Sequence, residues 1–188
     1  MKRIITDPLL DEAENIDKVV AQMRELEVLT GPGECNHTSF EALRSAVKEH
    51  FEVPWTSITP PMERLLYSIS AVNQPRNIVA IGIFCGNTLI WNIGSACGPG
   101  CCYSAERLVG VEIDSEKTAL ARANLERIGA LDSFELLAED GHETLERVDY
   151  PVDLLYLDAN GPLPGTTGPS TKKIYLTLLQ RAYDKMPP

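Results

Sequence analysis

The chain has 188 residues, enough for one domain with a small extension, and 44% of them are hydrophobic and 23% charged. A formal net charge of −10, with Lys and Arg only scattered, argues against a nucleic-acid partner, which needs basic surface to neutralise phosphates. No apolar run approaches the roughly 20 residues of a membrane span. The stretch Met1–Pro8 leads into acidic sequence and lacks a signal-peptide core, so no membrane partner is expected and the expected location is the cytoplasm.

The N-terminal third reads as helices. Asp7 is placed to cap the first, Pro8 suits its first position, and Leu9, Ile16, Val20, Met23 and Leu26 fall near one face. Gly31-Pro32-Gly33 ends it. Thr38-Ser-Phe-Glu41 has capping-box spacing, with Phe40, Leu43, Val47 and Phe51 as the apolar stripe behind it and Pro54 as the stop. A third helix is expected after Thr59, with Pro60 and Pro61 in its first turn and Met62, Leu65, Leu66, Ile69 and Val72 at helical spacing.

From Asn77 the pattern changes to short apolar runs separated by helical segments. Strands are expected at Asn77–Gly82, Leu108–Glu112, Phe134–Ala138 and Val152–Leu157. Helices are expected near Thr88–Ala96, from Asp114 or Ser115 to Ile128 with a stop at Gly129, near His142–Arg147, and near Thr171–Lys185. A loop rich in Gly, Pro and Thr, Ala159–Ser170, precedes the last helix. This alternation predicts an α/β fold: a Rossmann-like, doubly wound parallel sheet with right-handed crossovers. Residues 1–55 are read as an N-terminal helical cap and residues 56–188 as the sheet domain. The five cysteines, Cys35, Cys85, Cys97, Cys101 and Cys102, are odd in number and are expected to be reduced. The run Cys97–Cys102 lacks the paired C-x-x-C spacing of a zinc site and reads as a turn of small residues.

Each expected strand stops at a polar residue or a glycine, and open parallel sheets bind ligands at the carboxyl ends of their strands. The loop Gly82-Ile-Phe-Cys-Gly86-Asn-Thr88 has glycines four apart, which lets backbone approach a ligand closely but is not the G-x-G-x-x-G dinucleotide fingerprint. Glu112, 30 residues beyond Gly82, can accept from both ribose hydroxyls of a nucleoside; the plainer alternative is a surface carboxylate at a strand end. Asp114 reads as the cap of the next helix. Asp140, in Glu139-Asp140-Gly141, can accept from an exocyclic amine such as that of adenine, and His142 reads first as a helix-start residue. Asp158 follows Leu154-Leu-Tyr-Leu157, a strand that reads as wholly buried. It is open to three readings: ligand of a divalent cation, contact to substrate, or turn former before Asn160-Gly161.

Taken together, these stretches resemble the class I S-adenosylmethionine-dependent methyltransferases, and among them the small cation-dependent O-methyltransferases related to catechol O-methyltransferase. The matching segments are Ile81–Thr88, Val109–Asp114, Glu139–Gly141 and Val152–Asp158, with Ser57–Met62 resembling the segment that lies against the cofactor. The resemblance runs from about Thr56 to the C-terminus. It implies that Thr59, Gly82, Phe84, Gly86 and Thr88 lie against S-adenosylmethionine, that Glu112 holds its ribose, and that Asp140 and Gly141 line its adenine side. It implies Asp158 as catalytic residue and first ligand of Mg2+ or another divalent cation. The expected reaction is methyl transfer to the hydroxyl of a small-molecule acceptor, by a homodimer formed through the N-terminal helices.

Three departures accompany the resemblance. Ala80 stands where the family has an acidic residue two positions before the first glycine. The stretch Ala159–Ser170 replaces the family's charged substrate-side pair. Only four of the family's seven strands are legible, so the chain is expected to be a fragment or to have its sheet completed by another polypeptide. Two alternatives stay open: a non-catalytic cofactor-binding or scaffold protein of the same fold, and a nucleotide-dependent oxidoreductase, which the absence of G-x-G-x-x-G disfavours.

Overall fold

The computed structural model describes residues 11–163, 165, 167 and 171–187. Asp7, Pro8 and Leu9 lie outside the described residues, as do parts of the Gly- and Pro-rich loop. Helix α1 spans Glu12–Glu25, and Asp11 caps it by accepting from Ala13 N at 2.8 Å. Helix α2 spans His37–His50 and starts two residues earlier than the capping-box reading of Thr38 requires. Its cap is Asn36, in the left-handed region at φ 52° and without a side-chain bond to the helix. Asn tolerates that conformation better than most residues, so Thr38 falls inside the first turn. Helix α3 spans Pro60–Asn73 behind Thr59, as the two prolines dictate.

Strands β1 (Asn77–Ile81), β2 (Arg107–Val111), β3 (Glu135–Leu137) and β4 (Leu154–Leu157) form one parallel sheet in the order β3-β2-β1-β4. Between them run α4 (Asn87–Ile93), α5 (Ser115–Arg127) and α6 (Gly141–Arg147), and α7 (Ile174–Ala182) follows β4. Alternate residues of each strand face opposite sides. Ile78, Ala80, Leu108 and Leu136 pack with Phe40, Leu43, Tyr67, Trp91 and Leu125 of α2–α5. Val79, Ile81, Val109 and Val111 pack with Leu145 of α6 and Leu178 and Ala182 of α7. Both faces are therefore covered, which is why β1 reads as an unbroken apolar run. Ala80 is fully buried in the first of these cores.

One expectation is corrected. The four residues of β4 are half-buried, not wholly buried, because β4 is an edge of the sheet among the described strands. Edge position is set by pairing and not by the apolar character of the strand itself.

The N-terminal helices pack onto the α3–α4 side. Phe40 of α2 meets Tyr67 and Trp91 at centroid distances of 5.3 and 6.0 Å, and the guanidinium carbons of Arg44 and Arg64 lie 4.2 and 4.3 Å from its ring centre. Both arginines bond Glu12 Oε1, at 2.7 and 2.6 Å, so α1, α2 and α3 share one charged junction. No helix among the described residues is long and apolar enough to cross a membrane.

Candidate cofactor and acceptor cleft

The sheet register brings the strand ends level. Ile81 pairs with both Val111 and Leu157, and Val111 pairs with Leu137. The ladder continues one step beyond the strands: Gly82 N donates to Val111 O (2.8 Å), Glu112 N to Leu137 O (3.0 Å) and Asp158 N to Ile81 O (2.8 Å). Strand order reverses direction between β1 and β4, and in open α/β sheets that switch point opens a crevice at the carboxyl edge. A cleft of about 800 Å³ lies there.

Seven of the nine residues singled out from sequence line this cleft: Gly82, Phe84, Thr88, Glu112, Asp140, Gly141 and Asp158. Thr59 and Gly86 do not line it. Thr59 is exposed at the head of α3. Gly86 is buried at the N-terminus of α4 with φ 83°, and a Cβ there would sit 3.4 Å from the Ala121 Cβ. Gly86 thus shapes the turn from behind.

Gly82 has φ 84°, and a Cβ on it would lie 2.3 Å from Ala159 N and 2.6 Å from Asp158 C. Only glycine lets the end of β1 approach the end of β4 this closely. Phe84 is also in the left-handed region, at φ 52°, a conformation disfavoured for a residue with a Cβ. Its N–H donates to Glu112 Oε2 at 2.9 Å, and Asp114 N donates to Oε1 at 3.2 Å. Glu112 is 8% exposed, yet its carboxylate forms part of the cleft wall. Each oxygen has accepting capacity beyond its one backbone donor. Asp114 caps α5 through Glu116 N and Lys117 N, and those bonds with the Lys117 side chain hold its carboxyl below the ordinary value.

At the third strand end, Asp140 caps α6. Its Oδ1 accepts from His142 N at 2.7 Å and faces His142 Nδ1 at 2.9 Å, while His142 Nε2 meets Thr177 Oγ1 at 2.8 Å. Burial opposes the charged carboxylate, but these bonds outweigh it and hold the Asp140 pKa below its ordinary value. His142 is thereby a buried helix-start residue that joins α6 to α7. Gly141 is required because a Cβ would sit 2.4 Å from Ile81 Cγ2.

The fourth strand end brings in two residues that sequence reasoning missed. Asp158 Oδ1 accepts from Lys172 Nζ at 2.6 Å and from the Tyr175 hydroxyl at 3.1 Å; Lys172 Nζ also reaches Asp158 O at 2.9 Å. Partial burial works against the Lys172 ammonium, but its bonds to Asp158 and Tyr175 prevail and raise its pKa. The carboxylate therefore already faces a fixed cation. Among the described residues, no group of three His, Cys, Asp or Glu ligand atoms includes Asp158. A hard cation takes several oxygen ligands, so Asp158 alone does not make a site for the divalent cation expected there.

The opposite wall is aromatic. Trp55 and Phe84 have ring centres 5.3 Å apart, and Trp55 is 67% exposed. Asn87 Nδ2 donates to Thr56 Oγ1 at 3.0 Å, which ties this segment to the head of α4. Trp55, Thr56 and Ser57 line the cleft. The signal for them in the sequence was the segment Ser57–Met62, which includes Ser57 and directly follows Trp55 and Thr56.

The chain is similar to two proteins named catechol O-methyltransferase. It is 27% identical over 116 residues to the one from Mycobacterium tuberculosis, covering 61% of this chain and 50% of that protein. It is 26% identical over 121 residues to the one from Niastella koreensis, covering 58% and 49%. The chain thus spans about half the length of the curated relatives it matches. Among solved structures, the O-methyltransferase TomG of Streptomyces achromogenes, in complex with SAM, superposes with a TM-score of 0.55 at 23% identity, covering 95% of this chain and 71% of that one. An O-methyltransferase from Bacillus cereus in complex with SAH gives 0.55 at 21%, covering 92% and 71%. No protein-family model matches the chain. The resemblance to class I methyltransferases of the catechol O-methyltransferase type therefore holds in sequence and in fold.

Proposed function

We propose that this chain carries the cofactor half of an S-adenosylmethionine-dependent O-methyltransferase acting on a small-molecule hydroxyl. The observation that carries the reading is Glu112: a carboxylate kept at the cleft wall by two backbone donors, level with the glycine turn at the end of β1. Gly82 lets the ends of β1 and β4 come together at the cleft, and Asp140 and Gly141 line it. S-adenosylmethionine, when bound, supplies the sulfonium methyl, whose S–C bond breaks as the bond to the acceptor oxygen forms.

The protein's own contribution is orientation and electrostatics. Glu112 accepts from the ribose hydroxyls, and Asp140 lies on the adenine side. Lys172, held as an ammonium by Asp158 and Tyr175, donates to the acceptor oxygen and favours its loss of a proton to solvent. A positive charge fixed beside a developing oxyanion needs no reorganisation during the reaction. Among the described residues, Asp158 has no second and third His, Cys, Asp or Glu ligand beside it, so the charge at this strand end is that of Lys172. The reading also takes residues 1–55 as a helical cap and residues 56–188 as the cofactor domain. It takes the cytoplasm as location, without nucleic-acid or membrane partners. It takes a homodimer through the N-terminal helices, supported by the exposed Val19, Leu26 and Val28.

The test is isothermal calorimetry of the protein with S-adenosylhomocysteine, followed by transfer of labelled methyl to a panel of hydroxyl acceptors. Saturable 1:1 binding with transfer supports the reading. Binding without transfer to any acceptor favours the non-catalytic alternative, and no binding overturns both.

A further inference from the structure

On the side of the molecule built by the N-terminal helices, Asp17 converges with the sequence neighbours Cys35 and His37. Asp17 lies on α1, Cys35 in the α1–α2 connection, and His37 is the first residue of α2. One ligand atom from each lies within 4.8 Å of the other two. His37 Nε2 is 2.9 Å from Asp17 Oδ1, and the Cys35 thiol shares a hydrogen bond with Asp17. All three line a second, shallower cleft.

We propose that Asp17, Cys35 and His37 form a zinc-type cation site that staples α1 to the start of α2. The donor set is the argument for the metal class. Thiolate, imidazole and carboxylate together suit a borderline-soft ion such as Zn2+, while Mg2+ and Ca2+ take oxygen ligands. Three protein ligands leave a fourth tetrahedral position toward the cleft for water. Bonds of about 2.0–2.3 Å put tetrahedral ligand atoms about 3.5 Å apart, so the His37–Asp17 pair, 2.9 Å apart in the metal-free form, opens by about half an ångström on loading. Asp17 is exposed and His37 half-buried, which gives the ion a way in.

A second observation points to the same species. Ser68 Oγ of α3 is fully buried, and its hydroxyl interacts with the Cys35 sulfur. A metal-bound Cys35 thiolate is a stronger acceptor for that hydroxyl than the neutral thiol. Burial and the neighbouring Asp17 keep the thiol protonated in the metal-free form, up to about 11. On loading, the S–H bond is replaced by the S–metal bond and the proton leaves to solvent. The His37 proton passes from Nε2 to Nδ1. Arg64 Nη1, 3.3 Å from Nδ1, gives up that contact, while the same guanidinium remains bonded to Glu12 and Glu41.

The site is independent of the methyl-transfer reading and is tested by spectroscopy. The full chain, reduced and stripped with chelator, is titrated with Co2+ and then Zn2+. The expected result is one equivalent of Co2+ with a thiolate-to-cobalt charge-transfer band, displaced by Zn2+. The band is lost in Cys35→Ser and kept in Cys101→Ser, whose thiol is exposed. Ser68→Ala weakens binding about tenfold, the scale of a lost partner to a metal ligand. If circular dichroism shows that Cys35→Ser does not fold, Asp17→Asn and His37→Gln replace it, each expected to weaken binding at least about tenfold. No band in the wild type, a band that depends on Cys101, or unchanged affinity in the ligand variants overturns the proposal.

Discussion

Phe84 N donates to Glu112 Oε2 across 2.9 Å, so a side-chain bond joins the turn after β1 to the end of β2 beside the backbone bond from Gly82 N to Val111 O. Phe84 sits at φ 52°, and a strained backbone persists only where its surroundings over-determine it. Glu112 thus has two duties, holding the turn and presenting a carboxylate to the cleft, and two substitutions separate them. Glu112→Gln keeps one side-chain oxygen as acceptor for the turn. It is expected to weaken S-adenosylhomocysteine binding by about 1–3 kcal/mol and to lower the melting temperature less than Glu112→Ala, because its NH2 leaves only one of the two backbone donors without an acceptor. Glu112→Ala leaves Phe84 N and Asp114 N without an acceptor and is expected to lower both. Calorimetry and thermal melts read the two effects; equal binding by wild type and Glu112→Gln removes Glu112 from the cofactor site.

Lys172 tests the acceptor side. Lys172→Met removes the ammonium beside Asp158 while keeping the length of the side chain. Methyl transfer is expected to fall about 10²–10³-fold, the usual cost of deleting one donor to a developing oxyanion, while S-adenosylhomocysteine binding stays within twofold, roughly 0.4 kcal/mol. Unchanged turnover would assign Lys172 to fixing Asp158 and nothing more.

Two glycines with positive φ make a matched pair. Gly82→Ala drives a Cβ into Ala159 backbone at 2.3 Å; the expected loss exceeds about 3 kcal/mol or prevents folding. Gly129, at φ 67°, has nothing within 4 Å of an added Cβ. Gly129→Ala is therefore expected to cost only the conformational penalty, about 1–2 kcal/mol. Urea unfolding of both variants checks the ranking.

The charged junction of the N-terminal helices gives a pH dependence. Burial opposes the charged form of Glu12, but its bonds to Arg44 and Arg64 outweigh burial and hold its pKa below the ordinary value. A carboxylate depressed in the folded state contributes stability that is fully present above its unfolded value, about 4.3. That contribution is lost as pH falls through the folded value. Glu12→Gln should melt below wild type at pH 7, with the gap closing below about pH 4. Glu63, also bonded to Arg44, is pushed up by burial, so its contribution has the opposite sign and cannot account for that gap. A gap that is constant from pH 7 to pH 3 would refute an ionic origin, given the ordinary carboxylate range of about 4.

The sequence by itself determined the alternation of elements, the parallel sheet, and the carboxyl edge where the cleft lies. These are legible because a strand buried on both faces must be apolar throughout, as in Ile78–Ile81, and because a strand end at a ligand site must turn polar or to glycine. Asp114 as cap and Gly129 as stop were legible for the same local reason: helix ends need particular backbone and side-chain chemistry. Only the tertiary structure decided what depends on contacts between distant segments. It placed Lys172, 14 residues beyond Asp158, onto that carboxylate. It made β4 an edge and so left it half-buried, and it set Thr59 and Gly86 outside the cleft lining. It gathered Asp17, Cys35 and His37, whose spacing forms no motif. Local propensity and burial periodicity act within a few residues of chain, whereas pairing order and helix docking choose which remote groups share a few ångströms of space.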